Sequence, residues 1–182
     1  SLLNAVTTSS CTTHIIKGEA EAIQMFMFQN NRGKKPSHLE VIKAQFMYNI
    51  HIYGNEDTDA LIEEVKTRYE HIYRNISDIE DFVDEDAVLT HTLRVYFNSL
   101  WESSAVERIN AELEKATRIE FIKDFTLALD RSFDNLSRLN NDRQNDVNIE
   151  AALLCGRYEI VLPFFIKAYC NGVSLDNISK LA

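Results

Sequence analysis

The sequence predicts a mainly α-helical protein, organised as one domain of about seven to nine helices. Apolar residues recur with the spacing of a helix face along most of the chain. At Ser37, Ser104 and Thr117, a Ser or Thr stands three residues before a Glu between helical segments, and this capping-box pattern starts helices. The 182 residues contain only five Gly and two Pro, so nothing marks a linker between domains.

The N-terminal part carries little helical signal at first. Residues 1–13 are rich in Ser and Thr and are predicted to form a flexible end, with the helical domain spanning residues 14–182. His14 to Ile16 contains two β-branched residues, which allows one short strand near the N-terminus. From Glu19 to about Gln29, apolar residues at i, i+3 and i+4 spacing predict the first helix.

The next helix has clear start and stop signals. The polar segment Asn30–Pro36 interrupts the helical pattern, because Pro36 disfavours a helical backbone at the residue before it. Ser37 and Glu40 then form a capping box, in which each side chain bonds the other residue's amide. A helix to about Tyr53, ended by Gly54, is therefore expected.

The middle of the chain predicts four more helices. An amphipathic stripe predicts one from Asp57 to about Ile76, and another should end near Trp101, whose indole is expected to be a core or interhelical anchor. Ser104 and Thr117 begin two further capping boxes, which predict a short helix and then a long one. The long helix should turn one apolar stripe to the core, formed by Phe121, Phe125, Leu129, Phe133 and Leu136.

The C-terminal part reads as short apolar helices. Two segments, 149–154 and 158–169, are parted by Gly156, and the second is apolar enough to be buried. Pro163 lies in the second segment, where it marks either a first-turn position or a kink. Ser174 can cap a last helical turn.

Composition excludes several function classes. A formal net charge of −9 argues against a generic nucleic-acid binder, which neutralises phosphates with surplus Lys and Arg. Cys11, Cys155 and Cys170 have no C-x-x-C spacing and are expected to be small buried hydrophobes in a reducing cytosol. No apolar run reaches the roughly 18 residues of a membrane span, so a cytoplasmic protein is predicted.

No standard metal or catalytic motif is present. The five His fall in different segments, and neither G-x-S-x-G, H-E-x-x-H nor a Gly-rich nucleotide fingerprint occurs, so a self-contained classical hydrolase is not expected. Six carboxylates lie between Ser77 and Asp86. Such a cluster could hold a divalent cation, but the spacing matches no Ca²⁺ loop, and acids at the start of the next helix are the preferred interpretation.

The segment Asn30–Lys35, NNRGKK, is the local exception. Three cations in four residues, a Gly that permits close backbone approach, and the helix N-terminus that begins at Ser37 together suit an anion such as phosphate. An ordinary basic surface turn would have the same residues, so both interpretations stay open.

A longer pattern surrounds this loop and suggests a family. Its residues are Phe26, Asn30, Arg32, Gly33, Lys34, Pro36, Ser37, Glu40, Ile42 and Lys43. The pattern resembles the F-x-x-x-N-x-R-G-K-P-L-(S/T)-x-x-(D/E)-L-I-K signature of the GmrSD type of restriction proteins. Their N-terminal part is known as domain of unknown function 262 and has a ParB/sulfiredoxin-like core.

The resemblance implies a nucleotide-handling role. It implies that Asn30, Arg32, Gly33 and Lys34 bind nucleotide phosphate, while Phe26 and Ile42 are packing positions. Proteins of this type typically cut modified phage DNA in a nucleotide-dependent way. The implied cofactor is an NTP with a divalent cation, and the implied partners are the rest of the polypeptide or a nuclease domain, and DNA.

The match covers about residues 19–45, and this chain lacks the D-G-Q-Q-R motif and the HNH signature of such proteins. Pro36 also stands where the family prefers Leu. The resemblance therefore implies a C-terminal piece of a larger domain, inactive by itself, with a site completed elsewhere. The alternative is a non-catalytic helical interaction or oligomerisation module without a nucleotide site.

Overall fold

The helical spacing of apolar residues in the sequence corresponds to helices in the structure. The computed structural model describes residues 36–55, 57–102, 104–155 and 158–181, together with Gly18 and Met25. Within these ranges there are eight helices and no strand, which confirms the mainly α-helical prediction. The helices are α1 His38–Tyr53, α2 Thr58–Ile79, α3 Glu85–Tyr96, α4 Ala105–Leu113, α5 Arg118–Arg143, α6 Val147–Cys155, α7 Tyr158–Cys170 and α8 Leu175–Leu181.

Several predictions for the N-terminal part fall on residues outside these ranges. They are the flexible end at 1–13, the strand at 14–16 and the loop at 30–35. Of the helix predicted from Glu19 to Gln29, only Met25 is described, and its backbone is helical.

The long helix α5 lies at the centre of the fold, in contact with α1, α2, α3, α4, α6 and α7. The five residues of its predicted core stripe are all buried, which confirms that prediction. Phe121 and Phe125 stack with ring centroids 5.3 Å apart, and Phe46 of α1 meets both rings edge-on at 6.3 and 6.2 Å. Stacked and edge-on aromatic pairs add to the stabilisation that burial gives.

Helix α2 packs along α5 and is joined to it by buried polar contacts. The predicted apolar stripe of α2 is buried, apart from the partly buried Ile76. Arg68 is only 9% exposed, and its Nη1 donates to the Lys123 carbonyl and to Thr126 Oγ1, both at 2.7 Å. Its Nη2 pairs with the carboxylate of Glu64. These bonds satisfy a buried guanidinium, which would otherwise be costly.

Helix α3 ends at Tyr96, earlier than the sequence predicts. Asn98 adopts a left-handed backbone with φ 51°, which interrupts the helix. The amide of Asn98 donates to the Val95 carbonyl, and the amide of Ser99 donates to the Arg94 carbonyl at 2.9 Å. This pair of bonds is a Schellman motif with Asn at the position that Gly usually takes. Apolar spacing alone does not reveal such a stop.

Two glycines mark helix ends for different reasons. Gly54 ends α1 as predicted, but its backbone is extended rather than left-handed. A Cβ at this position would collide with the Ile50 carbonyl and the Thr58 side chain, so only Gly fits. Gly172, with φ 66°, follows α7 in a second Schellman motif, in which its amide donates to the Tyr169 carbonyl.

The capping boxes have mixed outcomes. Ser37 and Glu40 form the complete box at the start of α1, and Ser104 caps α4 by accepting a hydrogen bond from the Glu107 amide. Helix α5 begins where predicted, but the side chain of Thr117 makes no capping hydrogen bond, so the box predicted there is wrong.

Helix α7 departs most from expectation. Pro163 lies inside α7, beyond its first turn. The apolar sequence predicts a buried helix, but α7 exposes Ile160 and Phe164. Cys170 at its end is exposed, so the expectation of a buried thiol is wrong at this position. Its Sγ accepts a hydrogen bond from Asn135 Nδ2 at 3.2 Å. Among the described helices, none has the length and apolar character that crossing a membrane requires.

Candidate functional site

The signature segment is described only in its second half. Ile42, for which the resemblance implies packing, is fully buried in α1. The other predicted site and packing residues, Phe26, Asn30, Arg32, Gly33 and Lys34, lie outside the described residues.

The N-terminus of α1, which follows directly on the loop, is already bonded to protein atoms. The Glu40 amide donates to Ser37 Oγ at 3.3 Å, and the Ser37 amide donates to Glu40 Oε2 at 3.1 Å. The Leu39 amide donates to Asp86 Oδ1 at 3.2 Å, and Asp86 Oδ2 lies 3.3 Å from His38 Nδ1. A carboxylate from α3 thus occupies the place that an anion would take at this helix end.

A cavity of about 360 Å³ lies beside this helix end. Its polar lining includes His38, Asp84, Asp86, Thr90 and Ser104. Asp84 Oδ1 accepts a hydrogen bond from the Ala87 amide at 2.9 Å and caps α3, as the interpretation of the acids as a helix start requires. The described residues include no group of three or more His, Cys, Asp or Glu placed to hold a metal ion.

Lys43, the last residue of the signature, packs between α1 and α2. Its Nζ lies 4.8 Å from the ring centroid of Tyr73 and 5.3 Å from that of Tyr69. Burial lowers the pKa of Lys43, while the carboxylates of Glu70 and Glu40 act in the opposite direction. Burial, aided by nearby carboxylates, also raises the pKa of Tyr73 to about 12. The arrangement is a cation–π contact that joins two helices.

His71 and Asp130 form an imidazole–carboxylate pair between α2 and α5. The distance from His71 Nδ1 to Asp130 Oδ1 is 2.6 Å, and the imidazole is almost half exposed. Such a pair can orient a general base. It lines neither the cavity beside α1 nor the groove described next, so its evident role is to tie the two helices.

A second concave surface lies between the end of α3 and the outer face of α7. We call it the α3–α7 groove: about 250 Å³, with an apolar lining of Val95, Leu100, Pro163 and Phe164. Leu100 is 48% exposed and Phe164 is 58% exposed. The neighbouring Trp101 is 92% exposed, so the expectation of a core or interhelical anchor is wrong. The early end of α3 places Trp101 in a turn instead of on a helix face.

Two of the described residues that line the α3–α7 groove are charged, and both are cations, Arg94 and Lys167. Arg94 Nε donates to the Glu102 carbonyl at 3.3 Å, which holds the guanidinium against the turn. Lys167 makes no ion pair with another described residue and is exposed on α7. The described residues thus give the groove a positive rim in a chain whose net charge is −9.

Comparison with known proteins found no matching family model, no matching curated protein and no matching solved structure.

Sequence reasoning missed both Asp86 and the α3–α7 groove. Asp86 reaches the α1 N-terminus from 47 residues away, and a long-range contact of this kind leaves no local pattern. One feature of the sequence does point to the groove. The segment 158–169 has only two charged residues, Glu159 and Lys167, whereas a helix at the edge of a small domain normally has a whole polar face.

Proposed function

We propose that this chain is the helical part of a nucleotide-dependent restriction protein of the phage-defence type. It contributes the Asn30–Lys35 loop to a phosphate site that another part of the protein completes. The observation that carries the proposal is the signature from Phe26 to Lys43, in which Arg32, Gly33 and Lys34 fall on the motif positions. A Gly flanked by cations is suited to close contact with phosphate oxygens.

The geometry of α1 limits how such a site can work. Leu39 and Glu40 donate their amides to Asp86 and Ser37, so the first turn of α1 has little left to offer an anion. Phosphate binding must therefore rest on the loop's own amides and on the side chains of Arg32 and Lys34. A divalent cation that accompanies the nucleotide would take ligands from the nucleotide and from the completing part of the protein.

The test is nucleotide binding by the full-length protein with single substitutions in the loop. Arg32→Ala and Lys34→Ala should each weaken ATP or GTP binding by about tenfold or more, since each removes a charge-assisted contact. Lys35→Ala is the matched control, because it removes the same charge from a position outside the motif. Equal effects of all three substitutions would indicate that the loop is a general basic surface. An unchanged affinity for ATP and GTP in the Arg32 and Lys34 variants would contradict the proposal.

A second candidate function is a non-catalytic interaction or oligomerisation module. The exposure of Leu100, Trp101 and Phe164 around one groove favours it, because clustered exposed apolar side chains mark interaction sites. This function requires no response to ATP, GTP or DNA. Light scattering checks for self-association, and binding of another protein chain is the other way in which the module can act.

A further inference from the structure

The α3–α7 groove has the properties of a preformed binding surface. Its apolar lining comes from two sides: Val95 near the end of α3 with Leu100 in the turn that follows, and the buried Pro163 with the exposed Phe164 on α7. The groove accommodates one or two bulky side chains, and the exposed indole of Trp101 lies next to it in the chain. Burial of these side chains by a partner would release apolar surface from water.

The turn that forms one wall is held by several hydrogen bonds. The Schellman motif at Asn98 fixes its start, and the Trp101 amide donates to Ser99 Oγ at 3.4 Å. The bond from Arg94 Nε to the Glu102 carbonyl closes the turn from the helix side. A wall that is fixed before binding loses little conformational entropy when a partner arrives.

The charge around the groove selects the partner. Among the described residues that line it, Arg94 and Lys167 are charged and none is Asp or Glu, although the whole chain has 28 acidic against 19 basic residues. A partner that places carboxylates over Arg94 and Lys167 would gain complementary charge at the rim. A basic partner would meet repulsion at the same positions.

A second copy of this chain suits the groove less well. In a two-fold symmetric contact, each surface meets its own copy. Lys167 and Arg94 would then approach the same two cations across the interface, and like charges in such positions are unfavourable.

From the apolar lining and the cationic rim, we infer that the α3–α7 groove binds an amphipathic acidic segment of another polypeptide. The segment inserts bulky apolar side chains against Leu100 and Phe164 and places carboxylates on Arg94 and Lys167. This inference rests on the second candidate function, to which it gives a partner of defined chemistry. It is independent of the nucleotide loop.

The probe is a pair of synthetic helical peptides without tryptophan. Both carry Leu and Phe at i, i+4 spacing, and one has Glu where the other has Lys. Trp101 is the only tryptophan in the chain, so its fluorescence reports binding beside the groove. The Glu peptide should cause a saturable blue shift, and the Lys peptide should bind about tenfold more weakly or not at all.

Surface variants test the contacts without disturbing the core. Phe164→Ser and Leu100→Ser should each weaken the Glu peptide by about tenfold, whereas Ile52→Ser, which is 49% exposed on α1, should not. Lys167→Glu should weaken the Glu peptide and strengthen the Lys peptide. Lys180→Glu on α8 is the matched charge control and should do neither. Circular dichroism verifies that every variant is folded.

The contrary outcomes are distinct. Equal binding of both peptides, no binding, or indifference to Phe164→Ser and Lys167→Glu would overturn the inference. Self-association that Phe164→Ser abolishes would assign the groove to a second copy, which overturns the acidic partner but supports the interaction module. A strictly monomeric chain that binds neither peptide would count against the module as well.

Discussion

Helices α5 and α7 are both rich in apolar residues, yet they use them differently. The large apolar side chains of α5 are buried or partly buried, because six other helices surround it. Helix α7 buries Leu162, Phe165 and Ile166 on one side and exposes Ile160 and Phe164 on the other. The residues 160 and 164 share a face with Lys167, since they are spaced by three and four positions.

The difference in burial separates apolar residues that form the core from apolar residues that stay exposed after folding. The apolar stripe of α5 is buried in the core, whereas the described helices leave the outer face of α7 uncovered. Monomeric proteins expose single apolar side chains routinely, but a cluster around a groove indicates a partner. The outer face of α7 and the turn after α3 are therefore better candidates for function than any buried aromatic residue of α5.

The largest expected effect comes from truncating matched phenylalanines in the two helices. Phe125→Ala on α5 removes a fully buried ring and should lower the free energy of unfolding by about 3 to 5 kcal/mol. Phe164→Ala on α7 should change it by less than about 0.5 kcal/mol, because the side chain is largely exposed. Urea denaturation of both variants measures the difference. Losses of similar size would mean that the outer face of α7 belongs to the core.

A buried histidine of α3 predicts a pH effect. His91 is 3% exposed, and burial, aided by Arg94, lowers its pKa from 6.5 to about 4. The unfolded chain takes up this proton below pH 6.5, whereas the folded protein resists it until about pH 4. The contribution of the neutral His91 to the free energy of unfolding is therefore fully present above pH 6.5 and decreases as the pH falls to 4. The total decrease is about 3 kcal/mol.

His91→Leu removes the titrating group and isolates this contribution from that of the carboxylates. Between pH 7 and 4, the variant should lose about 3 kcal/mol less stability than the parent protein in urea denaturation. Parallel pH profiles for the two proteins would show that the imidazole is accessible to water, and hence that the packing around α3 is looser than described.

A smaller effect should distinguish the two Schellman motifs from ordinary turns. Ala at a left-handed position is strained, so Asn98→Ala and Gly172→Ala should each cost about 1 kcal/mol. The added Cβ at Gly172 meets no atom within 4 Å, so its cost reports backbone strain alone. Thermal or urea unfolding measures both. A neutral Asn98→Ala beside a costly Gly172→Ala would indicate that the wall of the groove is not fixed before binding.

Local signals in the sequence predict much of this fold. The Ser37–Glu40 box and the apolar stripes of α2 and α5 need only nearby residues, and the helices begin close to the predicted positions. The sequence does not predict the end of α3 at Tyr96, because the residues around Asn98 continue the apolar period, although Asn is one of the few residue types that accept a left-handed backbone. The same continued period predicts, wrongly, that Trp101 is an anchor of the core or between helices.

The candidate sites depend on contacts that the sequence does not contain locally. Asp86 reaches α1 from another helix, and Lys43 lies between two tyrosines of α2. The groove exists because α3 ends early and meets α7, two events that no single stretch encodes. The phosphate-binding assignment of Asn30, Arg32, Gly33 and Lys34 stays a prediction.

The fluorescence of Trp101 tests the central claim most directly, that the groove and its neighbouring turn are an uncovered surface of the single chain. In dilute monomeric protein, the emission should resemble that of a free indole in water and should be quenched by acrylamide almost as easily. It should move to shorter wavelength only when the Glu peptide is added. A blue-shifted, protected emission from the monomer alone would place Trp101 in the core and contradict the account.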